Sequence, residues 1–229
     1  MEHPFLILPW LLDFVGLGEF AHHYPQITYS AFIALLLCVT AKLAVGTVKM
    51  IPSGGQNFME AVIGNYEDFA IDVMGEEGRP YIPLVTTLFL YILIMNWSGL
   101  VPGLYAPTSN VNTPLSMAIV VFIVTQAIGI KEHGFKYIKH FIGPMWAIAP
   151  IMLPIEIIGH FARVLSLTFR LFGNILGEDL VVAILFMLAG MFFAPLPMMF
   201  LGIFTSFVQA FIFSLLTMLY IAGAIEEAH

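Results

Sequence analysis

Charge is what this chain has least of. Only 10% of its 229 residues are Asp, Glu, Lys or Arg, against roughly a quarter in an ordinary soluble domain. From Tyr81 to Ile130 no such residue occurs. A membrane helix takes about 20 apolar residues, so that run has room for two. Positive charge is scarcer still: eight Lys and Arg against fifteen acids, a formal net charge of -7. No basic cluster exists to make the electrostatic footprint of a nucleic-acid-binding protein. Cys38 is the single cysteine and lies in an apolar run. An internal disulfide framework and a cysteine metal site are excluded, and the residue reads as small packing. There is no His-Glu-x-x-His, no phosphate-cradling glycine loop and no nucleophile–base pair at useful spacing. The chain is therefore not expected to be an enzyme on its own, and no cofactor or metal is expected. A basic leader region is missing too. Residues 1–26 mix apolar stretches with Glu2, Asp13, Glu19, His22 and His23, and we expect an external segment that is not removed. Adjacent His22 and His23 are poorly spaced as two ligands on one helix face and read as surface residues.

What the chain has in abundance is hydrophobic residues, 60% of the total. Residues 27–48 make a first span, with Lys42 near its end able to snorkel to the interface. Ile51-Pro52-Ser53-Gly54-Gly55 breaks it. Residues 56–76 differ in kind: Phe58, Val62, Tyr66, Phe69 and Val73 recur at helical spacing, with Glu60, Glu67, Asp68 and Asp72 between them. That is an amphipathic helix lying on a surface, its acids forming a solvated face. Residues 81–130 make a hairpin of two spans turned by Pro102, Pro107 and Pro114 with Asn110 and Asn112. From Met145 to Gly190 no polar loop intervenes. As one helix this stretch would reach about 69 Å, over twice the roughly 30 Å hydrocarbon core. It must tilt steeply or break near Pro150 and Pro154. Ala194-Pro195-Leu196-Pro197 punctuates, and Met198 to Ile225 is another overlong helix. The expected architecture is all-α and integral to the membrane: about three transmembrane helices, one surface helix and a tilted C-terminal hairpin over 145–225. The whole forms a single membrane domain over 1–229, without internal repeat or inverted symmetry.

Six basic residues set the expected topology. Lys42 and Lys49 follow the first span, Arg79 precedes the second, and Lys131, Lys136 and Lys139 follow the third. With three alternating spans all six fall on one side, which the positive-inside rule makes cytoplasmic. The N-terminus is then outside.

The other two, Arg163 and Arg170, lie deep in the long apolar stretch, where a charge is costly and points to function by default. At 100° per residue, Arg163 lies about 20° from Arg170 around a helix, and Glu156 and Asn174 each about 40°. They form one polar stripe, with His160 a turn before Arg163. Asp179 falls about 180° from Arg170 and Glu178 about 80°, which suggests that Asp179 faces the last helix. Arg170 has no carboxylate three or four residues away. The last helix offers Thr205, Ser206, Gln209, Ser214 and Thr217 but no acid. A lone cation that stays charged and lacks a local partner implies an acid on another subunit. A stand-alone secondary transporter or channel would explain the stripe but not the missing counter-ion.

The run Arg170-Leu171-Phe172-Gly173-Asn174, followed by Glu178-Asp179-Leu180, closely resembles subunit a of the F-type ATP synthases. Gln209-Ala210-Phe211-Ile212-Phe213 with Leu216-Thr217-Met218-Leu219-Tyr220 is similar to that family's second motif. The stretch from Pro107 to Met117 and the acidic end are similar too. The resemblance covers nearly the whole chain. It implies a stator that holds two offset proton half-channels against a rotating ring of proteolipid c subunits, each with one intramembrane carboxylate. Peripheral-stalk b subunits and the lipid bilayer complete the implied surroundings, in a bacterial plasma (inner) membrane. Arg170 matches the family's essential arginine, which attracts the passing carboxylate, favours its ionised form and blocks a continuous proton wire. Glu156 matches an acid of the cytoplasmic half-channel. Asn174, Asp179 and Gln209 match polar positions of the external half-channel or beside the arginine. His160, Glu178, Arg163 and Ser166 join the implied proton path. Some members carry His seven residues before the glutamine; here that position is Gly202, so water or Asp179 is expected to bridge the gap.

Overall fold

A computed structural model describes residues 6–14, 16, 18–45, 54–101, 103–134, 149–189 and 195–226. All of its regular elements are helical, as expected for this class. Two short helices, α1 (Ile7–Asp13) and α2 (Gly18–His23), precede α3 (Pro25–Val45), α4 (Gly55–Met74), α5 (Ile82–Ser98), α6 (Asn112–His133), α7 (Ala149–Ala189) and α8 (Pro195–Glu226). Short 3-10 turns cover Glu76–Tyr81 and Pro107–Ser109. The linker prolines Pro52 and Pro102, the basic residues Lys49, Lys136 and Lys139, and Met145 lie outside the described residues.

Among the described residues five helices are long and apolar enough to cross a membrane: Pro25–Leu43, Glu76–Ser98, Asn112–His133, Pro154–Leu188 and Leu196–Glu226. The chain is a multi-pass membrane protein. The first crossing helix starts at Pro25, two residues before the apolar run, because proline at a helix start gives up no hydrogen bond. The question left open at Pro150 and Pro154 is settled: α7 runs unbroken through both over 41 residues. Proline costs most in a helix interior. Here both sit in the first turns, where few intrahelical partners are lost.

The α4 helix is not among the five. Its apolar face docks on two of them: Tyr66 stacks on Phe89 of α5, with centroids 5.1 Å apart, and Phe69 meets Phe211 of α8 at 5.4 Å. Its acids Glu60, Asp68 and Asp72 are exposed. Arg79 pairs with Glu67 at 3.5 Å and Glu76 at 3.6 Å, fastening the end of α4 to the turn that opens α5.

The core centres on α5, gripped by α3 and α8, with Ile92, Met95, Val121, Leu171, Ala210 and Phe213 all but inaccessible. Polar bonds lock the same contact. The Asn96 amide donates to the Ser206 carbonyl and its oxygen accepts from the Thr108 hydroxyl at 2.8 Å, while the Trp97 indole donates to the Ile203 carbonyl. One end of the bundle gathers the turn at Glu76–Glu77, the end of α6 and the end of α8 around a common cavity, and His133 donates to the Ala224 carbonyl there. Arg79 and Lys131 thus belong to the same end. At the opposite end α1 and the start of α3 meet the loop after α5.

Candidate intramembrane polar site

The α7 helix is buried along one stripe only: Leu167, Thr168, Leu171, Ile175 and Glu178. Taking 100° per residue, that stripe centres about 110° from Arg170. Arg170 therefore stands off the buried stripe and is exposed, and the exposed Ile158, Leu165 and Phe169 lie about 100–140° further round the helix on its uncovered side. Its guanidinium donates to the Ser166 hydroxyl at 3.4 Å. Its backbone is held from α8: the buried Gln209 amide donates to the Arg170 carbonyl at 2.7 Å. Among the described residues no carboxylate pairs with Arg170. Asn174, one turn on, is exposed on the same side.

Arg163 has different company. Its guanidinium carbon lies 5.3 Å from the centroid of the Tyr220 ring on α8, a cation–π contact. Beside it, the Gln126 amide of α6 lies 3.4 Å from His160 Nδ1, and His160 Nε2 lies 3.5 Å from Glu156 Oε1. His160 thus stands between the Gln126 amide and the Glu156 carboxylate. Thr125, Gln126, His160, Arg163 and Tyr220 line a cavity of about 20 Å³, space for a single water.

Beyond Arg170 the structure places two neighbouring acids differently from expectation. Glu178, not Asp179, reaches the last helix. Its Oε2 accepts from the Thr205 hydroxyl at 3.2 Å, and its Oε1 is buried with no hydrogen-bond partner in the protein. Asp179 is exposed. The reason is angular: α8 and α6 pack on the flank of α7, and the buried stripe centred near 110° takes in Glu178 and leaves Asp179 outside. Glu178 Oε1 also fills the space beside Gly202, where a Cβ would overlap it. The carboxylate beside Gly202 is thus that of Glu178 and not of Asp179. Ser206, a turn after Gly202, is buried with its hydroxyl unpartnered, and its carbonyl accepts from Asn96.

Asn96, Thr108, Thr205 and Ser206 thus extend the polar set that the sequence reading centred on Arg170. A buried asparagine in an apolar helix was the available signal for Asn96. That it meets Ser206, 110 positions later, needed the fold.

The described residues thus hold two polar groupings on α7, with Arg170 between them. Glu156, His160 and Arg163 lie on one side. Glu178, with Thr205, Ser206, Asn96 and Thr108, lies on the other. By helical rise, Glu156 is about 21 Å and Glu178 about 12 Å from Arg170 along the axis, in opposite directions.

Comparison with known proteins bears on this arrangement. Residues 27–222 match the family described as ATP synthase A chain. "ATP synthase subunit a" of Desulfosudis oleivorans is 53% identical over the full length of both chains. Its namesakes from Syntrophobacter fumaroxidans and Geobacter sulfurreducens are 51% and 48% identical, again covering both chains entirely. On an end-to-end match of this strength, the chain belongs to the ATP synthase A chain family.

Proposed function

We propose that the chain is the stator subunit of the ATP synthase membrane sector, carrying two offset proton half-channels separated by Arg170. A ring of c subunits would pass the uncovered face of α7, with peripheral-stalk b subunits holding the stator still. The observation that carries this reading is Arg170 itself: an exposed permanent cation, its backbone fixed by Gln209 and with no carboxylate paired to it among the described residues. Its counter-charge has to come from outside the chain, and a ring of intramembrane carboxylates supplies it repeatedly.

The cytoplasmic half-channel is assigned to Glu156, His160 and Gln126 with the cavity beside Arg163, and the external one to Thr108, Asn96, Ser206, Thr205 and Glu178. Neither grouping continues past Arg170 to the other, so a proton crosses between them only on a ring carboxylate. Arg170 favours the ionised form of that carboxylate as it passes, which releases its proton. Asn174 and Ser166 flank the guanidinium. Asp179, exposed on α7, is assigned to the outer mouth of the external path. The basic-residue pattern supports a cytoplasmic end at Arg79 and Lys131 and an outside N-terminus, in a bacterial plasma membrane.

The test is ATP-driven acidification of vesicles carrying the assembled complex. Arg170→Ala is expected to abolish pumping while sparing assembly, because the lost contribution is electrostatic. Passive proton leak is expected to rise. Arg170→Lys is expected to fail as well, since lysine lacks the planar fork and is neutralised by desolvation. Near-normal pumping by the alanine variant would overturn the assignment. A stand-alone transporter would purify without a proteolipid ring, whereas the stator must bring one with it.

A further inference from the structure

The first two helices carry a feature that proton transfer does not use. Trp10 and Phe14 meet edge to face at 5.4 Å, and Phe20 and Tyr24 meet at 5.3 Å. Each is an i, i+4 pair that joins one of the two helices to the residue just after it, and each is exposed: Phe14 is 78% exposed, Phe20 51%, Trp10 48% and Tyr24 40%. Leu11 and Ile27 are exposed beside them. Pro9, Gly18 and Ala21 are the buried residues of the two helices, with Leu8 and Leu12 half-buried. The segment thus leaves its aromatic rings exposed alongside Asp13, Glu19, His22 and His23, whereas an external helix in water would turn such rings toward the protein.

Its position is also fixed. The Ile7 amide donates to the Gly103 carbonyl at 3.0 Å, the Tyr29 hydroxyl donates to the same carbonyl, and the Leu8 amide donates to the Tyr29 oxygen. Tyr29 belongs to the first turns of α3, which begins one residue after Tyr24. Both short helices are therefore held at the level where the first span enters the bilayer. On α3, which follows Tyr24 directly in the chain, the apolar Phe32, Leu35 and Leu36 are exposed as well.

We infer that α1 and α2 lie in the headgroup layer of the leaflet on the N-terminal side, with the pairs Trp10–Phe14 and Phe20–Tyr24 inserted as an aromatic anchor. Amphipathic rings favour that layer because they are apolar in body and polar at one edge. The occupant of this face is lipid and not a protein partner, because it continues the lipid-facing side of a membrane span. Anionic lipid is not required: the chain has no Lys or Arg before Lys42, so attraction to negative headgroups contributes nothing here. The inference holds whichever side of the membrane the N-terminus occupies, and it stands apart from the proton path.

Cys38, the single cysteine, is exposed on α3 and gives a native reference site in the hydrocarbon. In a Cys38→Ala background, Phe14→Cys and Phe20→Cys are spin-labelled separately on the full chain in phosphatidylcholine nanodiscs. Relaxation by oxygen is compared with relaxation by a water-soluble nickel chelate. At both sites oxygen is expected to act several-fold more strongly than nickel, yet less strongly than at labelled Cys38. Replacing part of the lipid with phosphatidylglycerol is expected to change neither value. Nickel access equal to that of a free label would put the segment in water, and exclusion of both agents would put it against protein. Either result, or an oxygen preference that appears only with the anionic lipid, overturns the inference.

Discussion

Two exposed arginines seven residues apart on one face of a helix have different contacts, and this sorts them chemically. Arg163 is held against the Tyr220 ring beside a small cavity that Gln126 and His160 also line. Arg170 is held only through its carbonyl and a neighbouring hydroxyl, leaving its charge available outward. The stripe containing both could be read from spacing alone, because it depends only on the helical period. Which of Glu178 and Asp179 reaches the last helix could not. Angles measured from Arg170 do not say which flank the neighbouring helices cover, and a 70° error in that choice exchanges two adjacent side chains. The structure now orders three variants. Glu178→Gln is expected to slow ATP-driven proton pumping on the order of 100-fold, the low end of what a positioned proton-transfer group contributes. Gly202→Ala should follow it, since the added methyl displaces the Glu178 carboxylate. Asp179→Asn is expected to have the mildest effect. Acidification rates in vesicles measure all three, and a severe loss confined to Asp179→Asn would show that the proton passes the exposed acid instead.

Contacts between helices carry two further expectations. Asn96 ties α5 to α8 and to the turn at Pro107–Ser109 through two buried bonds. Interhelical hydrogen bonds in membranes average well below their value in an unsolvated vacuum, so Asn96→Ala is expected to cost about 1–2 kcal/mol. Detergent-driven unfolding in mixed micelles measures it. Tyr66 represents the other case. Its hydroxyl is buried where α4 docks, with Ser214 nearby but not in hydrogen-bond geometry. Burial pushes its pKa up to about 12 from 10.0. The undocked tyrosine ionises first as pH rises, so the stabilisation present below pH 10 is lost progressively toward pH 12. Thermal unfolding should therefore show a steeper decline above pH 10 in the wild type than in Tyr66→Phe, and identical slopes would remove Tyr66 as the cause. The amphipathic face of α4 was visible as a periodicity. Its partners Phe89 and Phe211 were not, because period alone gives a face and no address.

Helix length sets the geometry of the complete chain. The apolar window of α7, Pro154–Leu188, has 35 residues, and that of α8, Leu196–Glu226, has 31. At 1.5 Å per residue these are about 53 and 47 Å, so keeping them within a 30 Å core requires tilts of about 55° and 50°. The α6 window, with 22 residues, spans about 33 Å and stands nearly upright. Similar tilts let α7 and α8 stay packed along their length, and they spread the uncovered side of α7 across the membrane instead of down through it. The excess length could be read from the sequence, whereas the continuity of α7 past Pro150 and Pro154 had to be observed. Length alone licenses tilt or protrusion, and chemistry distinguishes them. Ile158 and Met187 are 65% and 84% exposed and lie on one side of α7, about 100–120° from Arg170 and away from the polar stripe. They are separated by about 44 Å along the helix, more than the hydrocarbon thickness. On an upright α7 at least one must therefore emerge into water. In a Cys38→Ala background, cysteines at these two positions are both expected to resist a membrane-impermeant maleimide applied to both faces of the membrane, and to react once detergent is added. Rapid labelling of either before detergent would mean that α7 protrudes, and the tilted hairpin would have to be given up.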